Sequence, residues 1–207
     1  MMTRTRVKIC GITNLEDADY AINAGADALG FVFYEKSPRN ISITSAEKII
    51  KNCSPFINFV GLFVDADESY VNKVLDRVAI STLQFHGQES EQACAKYNRP
   101  YIKAIRMTED INLSEQCKNY SSASGLLLDT YVKDVPGGTG LSFNWDLIPD
   151  DLEKPIILAG GLNETNVREA ITCVKPYAVD VSGGVEKEKG IKDPVKINNF
   201  ISEAMNA

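Results

Sequence analysis

The chain has 207 residues, 44% of them hydrophobic and 24% charged, a balance that builds an ordinary globular core and excludes a disordered polymer. Its formal net charge of -6, with no cluster of Lys and Arg to offset it, excludes a nonspecific nucleic-acid binder, which needs basic surface to neutralise phosphates. No apolar run reaches the ~18 residues of a membrane span and the opening MMTRTRVK lacks the apolar core of a secretory leader, so no membrane partner and a cytoplasmic location are expected.

Short apolar runs bounded by Gly, Pro or polar residues recur in chain order: VKIC from 7, ALGFVF from 28, NFVGLF from 58, STLQF from 81, YIKAI from 101, GLLLD from 125, PIILA from 155 and YAVDVS from 177. They are nearly continuous rather than alternating, as in strands covered on both faces, and this favours a parallel sheet. Helical spacing follows the first four in NLEDADYAINAG, TSAEKIIKNC, ESYVNKVLDRVA and SEQACAKY, and the last two in NETNVREAITCV and DPVKINNFISEAM. A short sixth helix is expected near FNWDLI, and Asn14, Asn163 and Asp193 are placed to cap their helices. With no linker or low-complexity tract, residues 1–207 read as one domain. Repeating β/α units of roughly 25 residues fit an α/β fold of the closed (β/α)8 TIM-barrel kind. The rival doubly wound sheet needs fewer strands or a G-x-G-x-x-G fingerprint, and neither that nor a Walker loop occurs.

In such barrels chemistry sits at the C-terminal ends of the strands. That rule selects Cys10, Arg39 in YEKSPRN, His86, Asp129 and Asp180. Each has a plainer reading: a thiol packs as a small hydrophobe, a histidine is held in structural hydrogen bonds, an arginine is a solvated loop charge, and Asp180 anchors a backbone amide. Asp129 ends the buried run GLLLD, where a carboxyl must find a partner or stay protonated, and a protonated carboxyl is a general acid. With Cys10 it forms a candidate acid and base pair at one barrel mouth. The other four cysteines, at 53, 94, 117 and 173, read as core thiols of helices; an odd total without a C-x-x-C pair or clustered His argues against disulfides and a metal site.

Glycine adds a third feature. PGGTG at 136–140, LAGGL at 158–162 and VSGGVE at 181–186 follow strands six, seven and eight. Glycine lets backbone N–H groups approach an anion, and the loops after strands seven and eight are the usual phosphate site of this fold. The expected partner is a phosphorylated small molecule.

VKICGIT, GFVFYEKSPR, FVGLFV, LQFHG, IKAIR, LLLDT, GGTG, LAGGLN and DVSGGVE with GIKD after it occur in an order and spacing that resemble the N-(5′-phosphoribosyl)anthranilate isomerase family nearly end to end. The resemblance implies an Amadori rearrangement in tryptophan biosynthesis, an aminoaldose becoming an aminoketose without a cofactor or metal. It implies Cys10 as general base at C2 of the ribose-derived chain, Asp129 as general acid on the ring oxygen, and Arg39 on the anthranilate carboxylate. Gly160, Gly161, Gly183 and Gly184 would hold the phosphate. Many family members carry SSGVE and GGTGKTF where this chain has SGGVE and GGTGLSF; these changes remove a hydroxyl at Gly183 and a lysine at Leu141, leaving phosphate binding at that loop to backbone N–H groups and Ser182.

Only thiolate is an effective base, and Lys8, which shares the strand parity of Cys10, is expected to favour it if both point inward. Two rival readings stay open on sequence: a Schiff-base aldolase using Lys8 or Lys103, and a noncatalytic barrel that binds a phosphorylated ligand. The sequence admits a monomer and a homodimer alike.

Overall fold

A computed structural model describes residues 4–130 and 143–207. The loop PGGTG at 136–140 and Leu141 lie outside the described residues.

Eight parallel strands close on themselves in sequence order: β1 (Arg6–Cys10), β2 (Ala28–Val32), β3 (Asn58–Phe63), β4 (Thr82–Phe85), β5 (Tyr101–Met107), β6 (Gly125–Thr130), β7 (Ile156–Leu158) and β8 (Ala178–Val181). β1 pairs with both β2 and β8, which closes the barrel. The alternation of side chains along each strand divides the buried residues into two layers. Val7, Ile9, Leu29, Phe31, Leu83 and Val179 pack outward against the helices. Ala104, Leu127, Ile157, Ala159 and Ala178 fill one level of the interior, and Cys10, Val32 and Leu62 another. Both faces of every strand are therefore covered, which explains why the runs show no polar alternation.

The connecting helices are α1 (Leu15–Ala24), α2 (Ile43–Asn52), α3 (Glu68–Leu75), α4 (Glu91–Ala95), α5 (Leu113–Asn119), α6 (Val167–Val174) and α7 (Pro194–Met205). Asn14 caps α1 by accepting from Asp17 N, and Asp193 caps α7 by accepting from Val195 N and Lys196 N. Asn163 serves a turn before its helix instead: it accepts from Thr165 N, while Asn166 occupies the cap position of α6. After β5, where the sequence shows no helical period, α5 forms with Leu113 and Cys117 one turn apart as its buried residues. Near FNWDLI the described chain makes a single 3₁₀ turn, Trp145–Leu147.

Of the four cysteines expected in the core, Cys94 and Cys117 are buried and Cys53 packs against it at half burial, but Cys173 does not join it. Cys173 is exposed, and Cys53, at the C-terminal end of α2, is half-buried, with its thiol donating to Ile49 O. Among the described residues no helix is long and apolar enough to cross a membrane.

After β8 the chain makes a 3₁₀ turn (Gly183–Val185) and then a small antiparallel hairpin, β9 (Glu186–Glu188) with β10 (Ile191–Lys192). The hairpin lies against the loops that follow β1 and β2: Thr13 Oγ1 donates to Gly190 O at 2.6 Å, and a Cβ on Gly190 would come within 3.0 Å of Pro38 O.

Candidate active site

The C-terminal ends of the strands surround a cavity of about 380 Å³. Cys10, Arg39, His86, Asp129 and Asp180 all line it, and so do Gly160, Gly161, Gly183 and Gly184. An apolar corner is supplied by Val32, Tyr34, Leu62 and Val64, which cluster with Cys10.

Cys10 ends β1 because the chain must turn there. Gly11 takes φ +77°, and Gly11 N and Ile12 N both donate to Gly30 O, at 2.9 and 3.0 Å. A side chain at Gly11 would be strained by that φ, and its Cβ would lie 2.6 Å from Arg39 Cδ. The stem of Arg39 thus crosses the turn immediately after the thiol. On the neighbouring strand, a Cβ at Gly30 would lie 2.7 Å from Cys10 Sγ and 3.1 Å from Lys8 Nζ. Glycine leaves the room into which both groups reach.

Lys8 points inward, as parity predicts, and donates to Asp180 Oδ1 at 2.8 Å, with both side chains buried. Asp180 therefore anchors an ammonium rather than a backbone amide. Burial pushes the Cys10 thiol up; Lys8 and Lys192 pull it down, Asp180 pushes it up again, and the net direction is upward. Lys8 thus acts in the expected sense and is outweighed by desolvation.

Asp129 is buried but well partnered. Its Oδ1 accepts from Thr130 N at 2.8 Å, and Oδ2 lies 3.1 Å from His86 Nε2. His86 Nδ1 faces Gln84 Nε2 at 3.1 Å, so the amide donates to Nδ1 and Nε2–H is left to donate to the carboxylate. This is the arrangement an ionised Asp129 requires. With the Gln84 amide turned over, Nδ1–H would meet Oε1, and Nε2 would accept from a protonated Asp129. Gln84 Oε1 is buried without a partner among the described residues, so the amide is not locked from its far side. His86 is held in the hydrogen bonds its plainer reading expects, and one of them reaches the candidate acid. The alternation of Gln84, Phe85 and His86 along and just beyond β4 was the available sign that the two polar side chains share the interior.

Arg39 is not a solvated loop charge. Its Nε and Nη2 donate to the two carboxylate oxygens of Glu186, at 2.7 and 2.8 Å. The Ser182 hydroxyl donates to Cys10 O at 3.0 Å, so its one hydrogen is committed there and not to an anion in the loop. Gly160 and Gly161 take φ of +79° and +67°, and a Cβ on Gly184 would overlap Leu162 O, which brings the loops after β7 and β8 together at the backbone level.

The lysines of the aldolase reading are both engaged. Lys8 holds Asp180, while Lys103, on the outward face of β5, donates to Gly87 O at 2.7 Å and Glu89 Oε2 at 3.1 Å. Among the described residues no group of three His, Cys, Asp or Glu side chains comes together to hold a metal ion.

Residues 7–203 match the protein family described as N-(5′phosphoribosyl)anthranilate (PRA) isomerase. An N-(5′-phosphoribosyl)anthranilate isomerase of Pseudomonas syringae pv. tomato is 57% identical over 201 residues, covering 97% of this chain and 98% of its own. The crystal structure of phosphoribosyl anthranilate isomerase from Thermotoga maritima superposes with a TM-score of 0.90 at 42% identity, covering 98% of this chain and all of that one (100%). A phosphoribosyl anthranilate isomerase in complex with reduced 1-(o-carboxyphenylamino)-1-deoxyribulose 5-phosphate gives a TM-score of 0.87 at 41% identity, with coverage of 98% and 100%.

Proposed function

The chain belongs to the N-(5′-phosphoribosyl)anthranilate isomerase family, and from that membership we propose that Cys10 and Asp129 divide between them the acid–base work of the family's reaction. That reaction is the Amadori rearrangement of N-(5′-phosphoribosyl)anthranilate to 1-(2-carboxyphenylamino)-1-deoxyribulose 5-phosphate, a step of tryptophan biosynthesis.

The observation that carries the assignment is that one thiol and one carboxyl, from β1 and β6, reach the same cavity. Opening the furanose needs a proton on the ring oxygen while the nitrogen lone pair forms a C=N bond, and a protonated Asp129 supplies it. The resulting iminium acidifies the proton on C2, which the Cys10 thiolate removes, leaving an enol amine. A proton added at C1 and one lost from the C2 hydroxyl give the ketone, so two protons are donated and two removed. No redox partner enters this balance. His86 Nε2–H supports the carboxylate that Asp129 becomes once it has donated.

Binding follows the same map. Arg39 is read as the partner of the anthranilate carboxylate, Val32, Leu62 and Tyr34 as the apolar bed for its ring, and Gly160, Gly161, Gly183 and Gly184 as the backbone cradle of the phosphate. The substrate is thus recognised as a phosphorylated, carboxylated small molecule held end to end across the barrel mouth. Residues 1–207 serve in this reading as one domain with one site.

The test is turnover of freshly formed phosphoribosylanthranilate, followed by loss of its fluorescence, with wild type, Cys10→Ala and Asp129→Asn. Loss of about 10²–10⁴-fold in kcat for each variant, with KM little changed, is the expected signature of a general base and a general acid. Retention of most activity in either variant would remove that residue from its role.

A further inference from the structure

The motif DVSGGVE with GIKD after it contains a glutamate and a lysine that the acid–base scheme leaves unused. Glu186 opens β9 and Lys192 closes β10, paired across the hairpin. The Glu186 carboxylate accepts from Arg39 Nε at 2.7 Å, Arg39 Nη2 at 2.8 Å and Lys192 Nζ at 3.0 Å. Lys192 is itself fixed twice more: Nζ donates to Ser182 O at 3.1 Å, and its backbone N donates to Asp17 Oδ2 at 2.9 Å. The carboxylate is thereby tied to β8 and to α1.

Arg39 comes from the loop after β2 and Glu186 from the loop after β8, and these two strands flank β1. The ion pair therefore bridges the end of β1, with the arginine stem resting on Gly11 beside Cys10. A guanidinium has two edges that can each grip a carboxylate, Nε with Nη2 and Nη1 with Nη2. Glu186 takes the first. Among the described residues Nη1 has no acceptor, and Arg39 lines the cavity. An arginine already held on one edge gives up little rotamer freedom when a ligand takes the other.

Building on the reading of Arg39 as the carboxylate partner, we propose that Glu186, backed by Lys192, is the positioning residue that selects aryl amines carrying an ortho carboxylate. By occupying the Nε/Nη2 edge it presents the Nη1/Nη2 edge of Arg39 to the substrate. Without it the guanidinium is free to swing, and the carboxylate loses its fixed partner while the phosphate and sugar keep theirs.

The experiment compares inhibition by two ligands, reduced 1-(o-carboxyphenylamino)-1-deoxyribulose 5-phosphate and its counterpart with an unsubstituted phenyl ring. Wild type, Arg39→Met, Glu186→Gln and Glu186→Asp are measured side by side. Wild type should prefer the carboxylated ligand about tenfold or more, and Arg39→Met should erase that preference. Glu186→Gln should reduce the preference at least severalfold while binding of the phenyl ligand stays within twofold. Should Glu186→Gln not fold, Glu186→Asp, which keeps the charge and withdraws it by one methylene, should show the same selective loss. Equal weakening of both ligands by the Glu186 variants would make Glu186 a mere tie between loops and overturn the proposal. So would an unchanged preference in those variants when Arg39→Met abolishes it. If Arg39→Met itself keeps the preference, the reading of Arg39 fails first and this one with it.

Discussion

Lys8 and Asp180 stand opposite each other in the register of β1 and β8, joined by a 2.8 Å hydrogen bond in the barrel interior. Their pairing sets the electrostatics beneath Cys10. Taking either partner away leaves the other as a buried charge without compensation, which costs far more than the pair contributes.

The base should therefore reveal itself in the pH profile. Burial, opposed by Lys8 and Lys192 and aided by Asp180, raises the Cys10 thiol; Arg39 also stands within reach of its charge. With Cys10 as the proposed base, thiolate is the active form, so kcat/KM should climb with pH and level off only above the ordinary thiol range near ~8.5. Lys8→Met removes a charge that favours thiolate while Asp180, which opposes it, stays, so the thiol should rise further. The limb should move up, and adding Asp180→Asn should return part of the shift. A profile that Lys8→Met leaves in place would show that Lys8 does not act on the base.

Gly30→Ala tests the room left for the thiol. The new methyl would sit 2.7 Å from Cys10 Sγ, so the sulfur must give up its present position. We expect kcat to fall by about 10²-fold for a displacement of an ångström-scale kind, with a stability loss of only ~1–3 kcal/mol. Thermal melts alongside kinetics distinguish displacement from unfolding.

His86→Leu removes the donor to Asp129 and strands the amide of Gln84. One unsatisfied buried group costs about 1–3 kcal/mol, so the protein should fold but melt earlier. With Asp129 as the proposed acid, kcat should drop by about 10–100-fold with KM nearly constant, because the lost bond then serves the carboxylate left after proton donation and not ligand binding. A change confined to KM would place His86 among binding residues instead.

The Arg39–Glu186 pair predicts how stability responds to acid. Burial alone would push the Glu186 carboxyl up; its hydrogen bonds to Arg39 and Lys192 overcome this and hold it below the usual range. A depressed folded value gives stability that is complete above the unfolded value near ~4.3 and is lost as pH falls through the folded one. Urea midpoints of wild type should hence drop more steeply below about pH 4.3 than those of Glu186→Gln, whose side chain does not titrate. Parallel curves would mean that Glu186 does not contribute to acid sensitivity.

The strands were legible because each is buried on both faces and bounded by turn residues, a pattern that needs no knowledge of neighbours. α5 was not, since LSEQCKN is seven residues long and offers Leu113 and Cys117 as its buried positions, too few to show a helical period. Cys173 was assigned to the core from its place in a helix, but burial depends on which way that helix faces. Among site residues, Cys10 and Asp129 stood out because ionisable or reactive groups ended apolar runs. Gln84 and Glu186 did not, one lying inside a strand and the other beyond it.

By itself, then, the sequence determined the barrel, the mouth at which its chemistry gathers and the family whose motifs it carries, because apolar periodicity and local turn chemistry are written in adjacent residues. The tertiary structure alone decided the partners: Lys8 with Asp180 across 172 positions, Arg39 with Glu186 across 147 and His86 with Asp129 across 43. Closing a barrel brings strand ends together whatever their separation along the chain, and the protonation and orientation of each group follow from the neighbour that closure supplies.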